Sequence, residues 1–191
     1  MNLRQKKVLF QYSTVVIALF VIHATAVDAA QVDAGRSAIV VVSSQMGVSM
    51  TGRFRDFTGA VDFDPAKPAV GSATLSIKTA SYDMGNDIYG EQIRDRKWFD
   101  TARFPFATFV SSAITPEQDG RYTVVGRLTI KGQSRAVTAP VTITREGSSL
   151  VFDGSLPISR TQYGIGVDEW KDTSIVADSV VIRFHIVSRQ P

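Results

Sequence analysis

The sequence predicts an all-β domain, an antiparallel barrel or sandwich of about eight strands broken by one short helical insert. Three observations predict it. Apolar residues recur at period two along most of the chain, most clearly in Tyr122, Val124, Gly126, Leu128 and Ile130. Turn pairs carrying glycine, Asp119-Gly120, Lys131-Gly132 and Glu146-Gly147, separate such runs. The stretch Asn86 to Pro105, NDIYGEQIRDRKWFDTARFP, departs from this pattern and reads as one or two helical turns with Trp98, Phe99 and Phe104 set among charges.

The chain begins with an address. Arg4, Lys6 and Lys7 precede an apolar run that is densest from Val15 to Ile22 and is followed by small residues, the order of a secretory signal. Residues 1–29 are expected to hold that signal, with a cut after Ala26 or Ala29, which predicts export. Gln11 to Thr14 shorten the apolar run below the roughly 20 residues of a spanning helix. Removing residues 1–26 leaves 191 − 26 = 165 residues, which suits one domain from residue 30 to 191. The signal also takes three basic residues with it, so 21 − 3 = 18 bases face 18 acids. A nearly neutral chain lacks the basic stripe that nucleic acid requires.

Cysteine is absent, which removes disulfides, thiolate metal sites and cysteine nucleophiles together. Stability must then come from the core. Of two histidines, His23 lies in the signal and only His185 remains, so chemistry that needs two imidazoles is excluded. His185 sits between Phe184 and Ile186 on the polar parity of the last strand and is expected at the surface or rim.

Each strand has its own reason. Ser37 to Val42, SAIVVV, is a β-branched run, and Ser43 to Met50 with Gly47 reads as a bend or irregular strand. From Gly52 to Asp64, Phe57, Gly59, Val61 and Phe63 fall on one parity; Phe54 is off it, which predicts a bulge or turn near Arg55 and Asp56. Asp64-Pro65 through Pro68 is a turn. Ala73, Leu75, Ile77 and Thr79 mark the next strand, and Asn86 or Asp87 can cap the insert's helix. Ala107, Phe109, Ser111 and Ala113 resume the alternation after Pro105. Val137 to Ile143, Leu150 to Ile158 and Asp178 to Val187 supply the last strands, with a loop from Gly164 to Asp172 before the final one.

The inward parity sets out an apolar wall: Phe57, Val61, Phe63, Leu75, Ile77, Phe109, Val124, Leu128, Ile130, Phe152, Leu156, Ile158, Ile182 and Phe184, with Trp98 and Phe99 of the insert above it. Gly59, Gly126, Gly154 and Ala73 thin the wall at intervals; a strand glycine usually marks a bulge or a close approach, and the sharper reading is that these positions open a long groove. Periodicity alone favours a filled interior over a cavity. Carboxylates cluster at Asp83, Asp87, Glu91, Asp95 and Asp100 and again at Asp168, Glu169 and Asp172. Interleaved arginines and lysines make these solvated ion pairs in preference to an acid and base pair, and no calcium-loop pattern or other metal set appears. Gly164-Ile165-Gly166 lacks the strand-to-helix context of a phosphate loop and reads as a turn.

Several motifs in order resemble the YceI-like family. They are F-x-x-F-x-G-x-x-x-F-D-P from Phe54 to Pro65, W-F-D-x-x-x-F-P from Trp98 to Pro105, and A-T-F-x-S from Ala107 to Ser111. G-x-L-T-I-K-G from Gly126 to Gly132 follows, then Ser159-Arg160, Tyr163-Gly-Ile-Gly and Trp170-Lys-Asp. The resemblance runs from about Ser37 to Val187. It implies an extended eight-stranded antiparallel lipocalin-like barrel, in the periplasm, whose interior holds a polyisoprenoid, an isoprenoid quinone or a similar long amphipathic lipid as ligand, with no further cofactor. That raises cavity above filled core. Head-group selection would fall to polar residues at the mouth, Arg94, Asp95 and Arg96 of the insert first; this chain departs from many relatives, which carry a histidine near the first strand where it reads Gly35-Arg36-Ser37. The rival readings are a filled barrel that partners a membrane redox protein and a lipid-modifying enzyme using the insert carboxylates. Uncovered strand edges would add a homodimer to either.

Overall fold

A computed structural model describes residues 29–189. The expected signal, with its cut after Ala26, lies outside the described residues; Ala29, the other cut site, is the first of them. The chain forms one curled antiparallel sheet. Its strands are β1 (Ala30–Gln31), β2 (Ala38–Gln45), β3 (Val48–Phe54), β4 (Phe57–Asp62), β5 (Ser72–Lys78), β6 (Tyr82–Asp83), β7 (Phe106–Pro116), β8 (Arg121–Ile130), β9 (Gln133–Glu146), β10 (Ser149–Ser159) and β11 (Ser179–Arg189). One helix, α1 (Asp87–Arg94), interrupts them. The order across the sheet is β1-β4-β5-β7-β8-β9-β10-β11-β2-β3-β6.

That order explains the curl. β4 and β3 stand near opposite ends of the sheet, yet only Arg55 and Asp56 join them. The sheet must therefore roll until its ends meet. Two sets of hydrogen bonds hold the seam. Val32 N donates to Gly59 O of β4 (2.9 Å) while Asp33 N donates to Val187 O of β11 (2.8 Å). At the other side, Arg55 N reaches Ser81 O (3.2 Å) and Lys78 N reaches Asp56 O (3.0 Å). Of the bulge or turn expected near Arg55 and Asp56, the structure has the turn: the chain changes strand there, and the run from Gly52 to Asp64 is two strands.

A correction falls at Ser43 to Met50. β2 and β3 form a hairpin there, with Gln45 opposite Val48 and a two-residue turn at Met46 (φ 50°) and Gly47 (φ 79°). Positive φ at both turn positions matches the right-handed twist of the flanking strands. Methionine at the first of them hides the signal, because the asparagine or aspartate that usually marks such a turn is missing. Lys131 (φ 48°) and Gly132 (φ 74°) make the same turn between β8 and β9, as expected.

Inward residues of the long strands form one apolar cluster that includes Ile39, Val61, Ile77, Leu128, Val141, Phe152, Leu156 and Ile186. One end is filled. Phe63 meets Tyr122 edge-on at 5.4 Å and Phe152 at 5.9 Å between ring centroids, and a Cβ at Gly71 would lie 2.9 Å from the Phe63 ring.

The strand glycines do something other than open a groove. A Cβ at Gly154 would lie 2.4 Å from the Phe184 ring and 2.8 Å from Pro140 O; one at Gly126 would lie 2.6 Å from the Phe109 ring. Gly154 and Phe184 are direct cross-strand partners. Each ring therefore has its outer edge over a glycine, in space that a side chain there would take. The wall keeps a bulky apolar surface without filling the lumen. Gly154→Ala is expected to destabilise the fold by about 1–3 kcal/mol, as overpacking does, measured by denaturant titration. Gly90→Ala, in α1 with nothing within 4 Å of the added Cβ, is the contrast and is expected to stabilise by about 0.5–1 kcal/mol.

Candidate functional site: an apolar cavity under the insert

The barrel is hollow above the Phe63 stack. A cavity of about 250 Å³ is lined by Val61, Leu75, Ile77, Phe109, Val124, Leu128, Ile130, Phe152, Leu156, Ile158, Ile182 and Phe184, which strand parity places on the inner wall, and by Trp98 and Phe99 of the insert. Phe57 and Phe63 are corrections: both are buried in the packed cluster and neither lines the cavity. Period two identifies the inward face but carries no information on depth along the barrel, so filled and hollow sections read alike.

Residues from the misread β2–β3 hairpin complete the wall. Ser43, Gln45, Met50 and Phe54 line it, together with Tyr82, Met84, Tyr89 and Gln92 around the insert. Tyr89 is 37% exposed, so the wall reaches the surface beside α1. Phe54, Tyr82 and Phe99 pack on one another with centroids 5.0 to 5.9 Å apart and seal the seam where β6 joins β3. Burial pushes the Tyr82 phenol up to about 12, so it stays protonated and neutral at physiological pH.

The insert is held down as a lid. Asn86 caps α1 by accepting from Ile88 N (2.9 Å), and Ile93 is the buried face of the helix. Beyond the helix, Lys97 O accepts from Gly166 N (2.8 Å) and Val167 N (3.1 Å), and Trp98 packs on Trp170 at 5.6 Å. Lys131, in the β8–β9 turn, donates to Arg96 O (2.6 Å) and Gly164 O (2.8 Å). Thr79 Oγ1 donates to Phe104 O (2.8 Å). Segments far apart in sequence are thereby pinned into one cap over the barrel.

Arg160 anchors that cap, and the strand pattern gave no sign of it. It is 3% exposed. Nε donates to Ala177 O (3.1 Å), Nη1 to Ile165 O (2.8 Å) and Gly166 O (2.9 Å), and Nη2 to Trp170 O (2.8 Å) and Val176 O (2.7 Å). All five guanidinium donors are used. The fork gathers the carbonyls of the loop between β10 and β11, which no regular ladder could satisfy. Only the Ser159-Arg160 and Tyr163-Gly-Ile-Gly motifs of the family resemblance pointed to it.

The charged residues expected to contact a head group stay outside. Arg94, Asp95 and Arg96 are exposed and absent from the cavity wall. Arg96 lies 3.9 Å from Asp168, and Asp95 Oδ1 accepts from Lys97 N (2.8 Å). Lys97 pairs with Glu169 at 2.5 Å, and that bond raises the lysine pKa and lowers the glutamate pKa. Asp83 is held below the usual carboxylate range by the Gly85 N–H and then by Arg55, 2.6 Å away. These are the solvated pairs expected from the interleaved charges. His185 lies on the outer face and pairs with Asp153 (2.7 Å) across β10 and β11. Among the described residues no cluster of three His, Asp or Glu side chains is placed to hold a metal. Among the described residues the cavity wall carries no carboxylate and no histidine.

Residues 31–188 match the model of the YceI-like domain. The chain belongs to the YceI-like family. A UPF0312 protein of Shewanella denitrificans is 30% identical over 132 residues, covering 65% of this chain and 69% of the relative. The UPF0312 protein YE1254 of Yersinia enterocolitica is 34% identical over 97 residues, which spans 50% of that relative's length. Among solved structures, Burkholderia cenocepacia BcnA is 50% identical with a TM-score of 0.80, covering 82% of this chain and 98% of BcnA. A domain from Saccharophagus degradans described as polyisoprenoid-binding and implicated in plant cell wall breakdown has the same fold at 21% identity, with a TM-score of 0.72 over 86% of this chain and all of that domain. Several of the YceI-like motifs of this chain share a place. Trp98 to Pro105, Lys131-Gly132, Arg160, Gly166 and Trp170 all meet in the cap.

Proposed function

We propose that this protein is a periplasmic carrier that binds the apolar chain of an isoprenoid lipid or isoprenoid quinone inside its barrel and holds it out of water. The observation that carries this reading is the cavity, walled almost wholly by aliphatic and aromatic side chains and reaching the surface beside Tyr89. Each methylene moved from water into such a wall contributes about 0.8 kcal/mol, offset by the lost freedom of the chain. Phe109 and Phe184, whose ring edges sit over Gly126 and Gly154, add aromatic surface to that wall. Membership of the YceI-like family and the fold shared with a polyisoprenoid-binding domain support a lipid ligand. A lipid-modifying enzyme is the weaker reading: among the described residues the wall carries no carboxylate and no histidine, burial pushes the Tyr82 phenol up to about 12, and Arg160 is committed to backbone carbonyls. Export rests on the signal pattern of residues 1–29.

Mass spectrometry of an organic extract of the purified protein tests the reading. Lipid at close to one per chain is expected. A clean extract, followed by no uptake of an added isoprenoid quinone, would instead favour a filled barrel that acts through a protein partner.

A further inference from the structure

The wall of the barrel has an unzipped seam. β10 pairs with β11 along its whole length, from Ser149 to Ser159, but with β9 only from Ser149 to Gly154. Beyond the pair of Gly154 and Val141 the two strands part, and a cleft of about 420 Å³ lies between them. Two prolines account for the break. Continuing the register would set Pro140 of β9 opposite Ser155 and Pro157 of β10 opposite Thr138. The two-residue turn at Lys131 and Gly132 makes Ile130 and Gln133 a hydrogen-bonded pair, so the odd residues of β9 bond β8. The even ones, Thr138 and Pro140 among them, turn their main chain toward β10. Proline has no N–H, so each edge lacks a donor where the other presents a carbonyl.

The seam borders the cavity. Leu156 and Ile158 line the cleft as well as the cavity, so along this part of β10 a single strand separates the two. Tyr163, on the turn Thr161–Tyr163 that follows β10, lines the cleft, is 2% exposed and belongs to the apolar cluster, and so backs the opening. Little holds the seam shut. Among the described residues one side-chain hydrogen bond crosses it, from the exposed Arg135 Nη2 to Gln162 O (3.1 Å). The cap is pinned by five bonds of Arg160, two of Lys131 and two to Lys97 O. A wall opens first where the fewest bonds must break.

We propose that the β9–β10 seam is a side portal through which a long isoprenoid chain passes broadside into the cavity. This rests on the carrier reading and adds the route its ligand takes. Entry beside Tyr89 threads a chain end-first, unit after unit, under the pinned cap. Parting the seam lets many units cross the wall together. A short isoprenoid has little to thread, so the portal matters for long chains alone.

The chain has no native cysteine, which makes a lock simple to build. Thr138→Cys is combined with Pro157→Cys, both at exposed positions, and the purified, delipidated variant is bridged by a short bis-methanethiosulfonate that reductant removes. Uptake of solanesol, a long polyprenol, and of farnesol, a short one, is then followed from phosphatidylcholine vesicles. The bridge is expected to slow solanesol uptake about tenfold or more and to leave farnesol uptake within about twofold, with reductant restoring the solanesol rate. Comparison of the unbridged variant with the parent checks its folding, and Thr138→Cys alone with the same reagent controls for bulk. Ala136→Cys with Ser159→Cys, the next outward pair in the continued register, repeats the test should the first pair not fold. Solanesol uptake unchanged by the bridge, or farnesol slowed as much as solanesol, would overturn the portal while leaving the carrier intact. Uptake of neither alcohol by the parent protein would remove the carrier reading itself.

Discussion

Replacing Arg160 with methionine is expected to destabilise the protein by about 3–5 kcal/mol, the range seen when one side of a buried polar network is removed. The reason is an accounting of acceptors. The carbonyls of Ile165, Gly166, Trp170, Val176 and Ala177 all take a hydrogen from the one guanidinium, and methionine fills the volume but supplies none. Each buried carbonyl left dry costs about 1–3 kcal/mol unless water enters. Arg160→Lys is expected to recover only part of the loss, because an ammonium has three donors at one point and cannot span a fork of five acceptors. Denaturant unfolding measures the stability of both variants. Hydrogen exchange of Gly166 and Val167 locates the damage, since their amides bond Lys97 O and hold the insert to the loop. A methionine variant as stable as the parent, with those amides still protected, would show that the cap is held by the Trp98 and Trp170 contact instead.

Closing the cavity without adding charge is expected to abolish lipid uptake. Ala139 is buried on the wall of β9 and lines the cavity. Ala139→Phe puts a ring into the space, at a cost of about 1–3 kcal/mol in stability, and is expected to reduce bound lipid at least tenfold in the organic extract. Leu128→Asp attacks the same wall by chemistry instead of volume: a carboxylate facing an apolar tail either charges the cavity or takes up a proton, and either way the tail loses its contact. Leu128 is 6% exposed, so this variant carries the greater risk to folding, which is why the phenylalanine variant is the decisive one. Unchanged lipid content in folded Ala139→Phe would mean that the ligand lies elsewhere.

The two variants also mark where sequence reading succeeds. Leu128 and Ile182 were legible because a strand half-buried in a curled sheet repeats its inward residue at every second position, whatever its neighbours are. The turns at Asp119-Gly120 and Lys131-Gly132 were legible because glycine is suited to the positive φ such turns require (70° and 74°). Arg160 was not. A buried arginine that bonds only carbonyls has no partner of opposite charge to betray it, and its acceptors are backbone atoms that any residue would present.

The sequence by itself determined that this chain is all-β, that one face of its strands is apolar, that it has no thiol chemistry, and that its motifs resemble the YceI-like family. These are properties of local periodicity, composition and spacing. Only the tertiary structure decided that Phe63 plugs one end while Phe109 lines a hollow, that Arg94, Asp95 and Arg96 stay in water, and that Trp98 carries a buried donor with no acceptor. Depth within a barrel and the balance of donors and acceptors depend on which strands meet across the sheet. Those meetings join residues such as Lys97 and Gly166, or Arg160 and Val176, through contacts that leave no periodic trace in the chain.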